Sequence, residues 1–173
     1  MKAALVAAIA FAFLPISELH AQTTPTVKGF WQETDDQGNV GAWFYFSQKD
    51  GVYIGRLVKS FPKPGEPHYS VCSKCQDERK NARMLGLTIV SGMKRDGLKY
   101  TDGSILDPRD GSIYHAEMEL SQDGQELSVR GYIGIPLLGQ TQVWKRLPDD
   151  TIAAADIPKE VLAKPKQRDG DAE

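Results

Sequence analysis

Cys72-Ser-Lys-Cys75 is the residue pair with the clearest chemical potential in this sequence. Two cysteines at this spacing match thioredoxin-like redox sites, where a helix N-terminus in a βαβ setting lowers the first thiol's pKa. Here the flanks are turn-rich and carry no βαβ pattern. Lys74, Arg79, Lys80 and Arg83 would stabilise a thiolate, but Asp77 and Glu78 partly cancel them. In an oxidising compartment an even, closely spaced pair is expected to be a structural disulfide. Its ring is short and removes little chain entropy, so the expected role is local: it pins the surrounding loop. His68 adds a third possible metal ligand, but a structural zinc site takes four. His115 could be the fourth only if the fold brings it there, and a disulfide would consume both sulfurs. No metal and no cofactor is therefore expected, and the redox or metal reading stays an alternative centred on Cys72 and Cys75.

Other catalytic constellations are thinner still. Downstream of residue 21 the histidines are His68 and His115, and no Gly-x-Ser-x-Gly elbow is present. Glu117 and Glu119 project from one strand face about 7 Å apart, a range at which carboxylates cleave glycosides. Their alternation with Met118 and Leu120 reads instead as the wet face of a strand. Asp107-Pro-Arg-Asp-Gly111 is turn chemistry. A non-enzymatic protein is expected.

The N-terminus gives the address. Lys2 is followed by twelve apolar residues, Ala3 to Leu14, then Pro15 and a polar stretch ending in Leu19-His20-Ala21. This is the layout of a secretory signal peptide, too short to span a bilayer, with cleavage expected near Ala21. The protein is expected to be exported, periplasmic or secreted, with no later membrane span. Removing Lys2 and Glu18 leaves the formal charge at −2. Nucleic acid and anionic membrane surfaces need a basic field, so neither is an expected partner.

The elements that must position these residues follow from the turns. Asp50-Gly51, Asp96-Gly97, Asp102-Gly103, Asp110-Gly111 and Asp123-Gly124 punctuate the chain, and Asp-Gly favours the positive φ angles of tight hairpins. Between them lie runs of β-branched and aromatic residues, read as strands near 27–33, 40–47, 52–60, 85–94, 98–106, 112–120, 126–133 and 140–146. Asp102-Gly103 falls inside a run and reads as a bulge or a turn. Val40 to Phe46 is apolar on both faces and is expected to be covered on both sides. Eight strands joined mostly by tight turns predict an all-β, antiparallel up-and-down barrel, with a two-sheet sandwich as the alternative. The expected organisation is signal peptide 1–21, flexible lead-in 22–26, barrel domain 27–147 and a polar, largely disordered tail 148–173. The long loop 61–84 holds the cysteine pair.

These residues resemble a known family. Cys72-x-x-Cys75, Leu85-Gly-Leu87, Asp107-Pro-x-x-Gly111-x-x-Tyr114 and Leu127-x-Val-Arg-Gly-Tyr-Ile-Gly-x-Pro-Leu-Leu-Gly139 followed by Trp144 are similar to the "domain of unknown function 2147" family of bacterial exported proteins. Tyr100 stands where that family is expected to carry Trp. Gly29-Phe-Trp31 also resembles the Gly-x-Trp signature of lipocalin-type calycin barrels. That likeness implies that Arg146, ending the last strand, packs its guanidinium on Trp31 and closes the barrel floor.

The resulting expectation is an exported binding module holding a small apolar or amphipathic ligand, with Trp31, Trp43, Tyr45, Tyr53, Tyr132 and Arg146 as candidate ligand residues. Phe44 and Phe46 belong to the same aromatic run. The alternative is an envelope interaction protein with a filled core, meeting a partner protein through the 61–84 loop or the Leu137-Leu138 turn. Those two leucines must either cap the barrel end or meet a ligand or partner.

Overall fold

Asp50 and Gly51 both adopt positive φ (49° and 83°), the geometry that folds two strands back with matching twist. In a computed structural model describing residues 24–65, 69–153 and 156–157, this turn is one of the connections between eight strands. They are β1 (Gly29–Thr34), β2 (Val40–Lys49), β3 (Val52–Ser60), β4 (Thr88–Asp96), β5 (Lys99–Asp107), β6 (Ser112–Leu120), β7 (Glu126–Tyr132) and β8 (Gln140–Arg146). Each pairs antiparallel with its sequence neighbour, and β8 returns to β1 with Trp31 opposite Arg146. The sheet is a closed up-and-down barrel and not a sandwich. The expected signal peptide and His68 lie outside the described residues.

β4 starts at Thr88, later than its apolar run suggests. Leu85-Gly86-Leu87 is instead a turn docked on β3: Gly86 N–H donates to Leu57 O (2.8 Å), and Leu57 N–H to Leu87 O (3.0 Å). Asp102-Gly103 is a bulge: Asp102 takes φ 61° and the β5–β6 register shifts beside it. A side chain at Gly103 would collide with Met93, whose side chain occupies that space.

Alternation sorts the side chains. Trp31, Phe44, Phe46, Tyr53, Met93, Tyr100, Met118, Leu120, Leu127 and Trp144 are buried in one cluster. Phe44 stacks on Trp144 at 4.4 Å and Tyr53 meets Tyr100 edge-on at 5.0 Å. The opposite face of β2 is also covered. Trp43 and Tyr45 pack against a second cluster built on Phe30 and Val58, joined by Leu147, Ile152 and Ile157. The segment after β8 thus lies on the outer wall that the doubly apolar β2 needs covered.

The connection between β3 and β4 is clamped by the Cys72–Cys75 disulfide (Cα–Cα 5.5 Å). Both sulfurs are buried, and Cys72 Sγ lies 3.8 Å from Pro108 O in the β5–β6 turn. Gly111 (φ 84°) faces the Lys74 carbonyl so closely that a Cβ would overlap it. Cys72 N–H donates to Ala82 O (2.8 Å), and Arg79 reaches Thr88 O (3.0 Å) while pairing with Asp77. The loop is therefore fastened to both β4 and the β5–β6 turn.

Candidate functional site

One barrel end is sealed by the chain that precedes β1. Trp31 Nε1 donates to Val27 O (2.7 Å), and Val27 N–H donates to the Tyr100 hydroxyl (3.1 Å). Arg146 lies 4.3 Å over the Trp31 ring. Its Nε, Nη1 and Nη2 donate to Gly124 O, Lys28 O and Thr26 O at 2.5, 2.7 and 2.6 Å. Burial pushes the guanidinium's pKa down and the Tyr100 hydroxyl's up, as expected where water is displaced. Arg95 holds Pro25 O and Thr24 O. An open groove of about 600 Å³ outside this floor, lined in part by Asp123, Gly124 and Asp149, meets an Arg146 whose donors are already occupied.

The other end is built differently. Register carries the inward face of β8 from Trp144 to Gln142 and Gln140, opposite Val129 and Gly131. It carries the inward face of β1 from Trp31 to Glu33, opposite Ala42 of β2. Ile105 and Tyr114 face the same space across β5 and β6, since a Cβ at Gly131 would touch both. Gln140 and Gln142 are exposed, and Glu33, Ala42, Ile105 and Tyr114 are only half-buried. Inward positions that reach solvent define a cup, with the Phe44–Trp144 stack at its base.

The charges at this rim are mostly paired. Lys63 meets Asp35 at 2.6 Å, and Arg109 grips Asp107 through Nε (2.9 Å) and Nη2 (2.5 Å). The Lys63 and Asn39 contacts hold the Asp35 carboxyl well below the usual carboxylate range, and Arg109 does the same for Asp107. Glu33 moves the other way. Burial raises its pKa and nearby Asp35 adds to the rise, against the smaller opposing pull of Arg109 and Lys63. Among the described residues Glu33 has no ion-pair partner within 4 Å.

Of the sequence's candidate ligand residues, Trp31 and Arg146 form the floor, with the cation–π contact that the Gly-x-Trp resemblance implied. Tyr53 is fully packed beside Tyr100. Trp43 and Tyr45 point away from the interior: Trp43 Nε1 donates to Gln32 on the outer face, and Lys59 Nζ sits 4.8 Å above its ring. Tyr132 is also outside, tilted against His115 at 5.5 Å. The six are thus split between floor, core and outer wall, because alternation sends neighbours in an aromatic run to opposite faces. The cup residues Glu33, Tyr114, Gln140 and Gln142 escaped sequence reasoning. Their signal is a polar residue on an inward register, visible only once Trp31 and Trp144 fix which face is inward. The disulfide takes both sulfurs, so Cys72 and Cys75 are not thiolate ligands.

Leu137 and Leu138 do not cap the barrel. They sit on a one-turn helix, Pro136–Leu138, and are 81% and 76% exposed. Arg130 fastens this turn from outside, donating to Pro136 O (2.6 Å), Leu137 O (3.3 Å) and the Thr141 hydroxyl (2.6 Å).

A closed eight-stranded barrel, plugged below a Trp–Arg pair and cupped at the opposite end, is a lipocalin-type architecture. Protein HP1028 from Helicobacter pylori, described as belonging to the lipocalin family, is similar in structure. The TM-score is 0.65 at 19% identity, over 80% of this chain and 97% of that one. At sequence level, residues 29–146 match the model of DUF2147, "Uncharacterized protein conserved in bacteria", and the chain belongs to that family. No curated protein matches.

Proposed function

We propose that this is an exported, non-enzymatic binding protein whose cup takes a small amphipathic ligand. The observation that carries the reading is the exposure of inward-facing Gln140 and Gln142 directly beyond the buried Phe44–Trp144 stack. A small barrel with an apolar base and a few polar groups near its mouth suits one small ligand. Export is supported by the signal-like leader and by a disulfide, which persists in oxidising compartments. Native mass spectrometry of the full chain expressed with its leader tests both halves. Loss of about 21 residues with retained disulfide supports export. A co-purifying small molecule, absent from a Gln142→Trp variant that fills the cup, supports binding. An intact leader, or equal occupancy in that variant, overturns the respective half.

A second reading has its own observation. Ile133 (71%), Ile135 (55%), Leu137 and Leu138 project from the β7–β8 turn that Arg130 fastens, an apolar cluster of the kind that marks contact sites. Under it the protein meets an envelope partner through this turn. Leu137→Ser/Leu138→Ser would abolish that contact and leave ligand occupancy unchanged.

A further inference from the structure

The geometry points to a cationic amphipath as the ligand class: an aliphatic amine whose ammonium pairs with Glu33 and whose tail lies on the Phe44–Trp144 base. This deepens the cup reading and rests on it. The base and part of the wall are apolar, with Phe44 stacked on Trp144, Ala42 opposite Glu33, and Ile105 against the Gly131 backbone. A tail is held there by surface removed from water. The head is decided by what the rim leaves unspent. Arg109 is committed to Asp107 and Lys63 to Asp35, so the two cations whose charge reaches Glu33 are each neutralised by another carboxylate. Glu33 is not committed. Its carboxylate faces inward from β1, half-buried, without an ion-pair partner among the described residues.

Gly41 reinforces the assignment. A Cβ there would overlap Glu33 Oε2, so the glycine leaves this carboxylate room at the inner wall. Gln142 spends its carbonyl on Trp144 Nε1 (3.2 Å), which leaves its amide N–H groups without a partner among the described residues. Those donors suit a hydroxyl or carbonyl further along a ligand, but they cannot hold an ammonium. An anionic head would face Glu33 and Asp35, while the nearby Arg109 and Lys63 are already paired with carboxylates. A neutral head would leave a partly desolvated carboxylate unpaired. The ammonium satisfies it and reverses the burial-driven rise in its pKa.

Three probes of equal chain length separate the possibilities: decylamine, decanol and decanoate, titrated into the mature protein at neutral pH with tryptophan emission as the readout. Decylamine is expected to bind at least about tenfold more tightly than decanol, since a partly desolvated ion pair is worth a tenfold factor or more. Decanoate should bind weakest. Glu33→Gln should erase the amine's advantage and leave decanol unchanged. Lowering the pH on the unmutated protein should do the same as Glu33 protonates, and this arm does not depend on the variant folding. The groups that set this titration are Asp35, Arg109 and Lys63, which surround Glu33 at the mouth. Equal affinity for decylamine and decanol, or an amine preference that survives in the variant, overturns the assignment to Glu33 while leaving the cup intact. Failure of all three probes to bind overturns the cup reading itself.

Discussion

The two ends of this barrel are made from the same strands, yet their inward residues do opposite work. At the floor, Trp31, Tyr100 and Arg146 reach into the barrel and every polar atom among them finds a partner: Val27 O, Val27 N–H, and three main-chain carbonyls. At the mouth, two residues beyond Trp31 on β1 and four before Arg146 on β8, Glu33 and Gln142 stand where water can reach them. Buried polar groups that are fully satisfied fix one structure, whereas half-satisfied ones are free to bind something else. Stability is therefore concentrated at one end, and the proposed ligand has room at the other.

Substitutions can break that division. Trp31→Ala removes the largest ring of the floor and the surface on which Arg146 lies, and should cost about 3–5 kcal/mol in urea unfolding. Arg146→Met keeps the packing but leaves three carbonyls without their donor, an expected loss of about 2–3 kcal/mol. The Cys72→Ser/Cys75→Ser double variant should lose about 2 kcal/mol, the entropy of so short a ring, and should loosen the loop before the barrel. Comparable changes at the mouth should hardly register: Gln142→Ala is expected within about 0.5 kcal/mol of the parent. If the mouth variant proves as costly as the floor variants, the division is wrong.

The smallest effect is one of sign. Asp77 and Asp107 have pKa values lowered by their arginine partners Arg79 and Arg109, so the stability they contribute is present above their unfolded value. It is lost as pH falls below about 4. Glu33 is raised by burial, so its contribution runs the other way: it opposes folding at neutral pH and ceases to do so as acid protonates it. A melting-temperature profile should thus rise slightly on acidification towards pH 4 before falling, and Glu33→Gln should flatten the first part only.

Much of the barrel was legible because its signals are local. Asp-Gly turns set four of the seven connections, β-branched and aromatic runs set the strands, and the apolar doubling of Val40–Phe46 announced a strand covered twice. The Trp31–Arg146 contact was legible through the Gly-x-Trp resemblance, which ties the first strand to the last. The residues of the proposed cup were not legible. In Trp43-Phe44-Tyr45-Phe46 aromatic character is equal at every position, so composition alone does not say that Phe44 and Phe46 face in and Trp43 and Tyr45 face out. That choice depends on pairing with β1, a long-range fact. The start of β4 was misplaced for a related reason: Leu85 and Leu87 look like strand, but a turn docked on Leu57 uses their backbone first.

The plug at the floor is gripped by its peptide groups. Arg146 and Arg95 hold the carbonyls of Thr24, Pro25, Thr26 and Lys28, and of this stretch Val27 is the residue whose side chain is fully enclosed. A main-chain carbonyl is the same whatever side chain it carries. Residues 24–28 should therefore tolerate wide replacement outside Val27 and tolerate insertion or deletion badly, since one residue more or fewer shifts every carbonyl off its guanidinium. The spelling of the segment is free to drift. Its length is not.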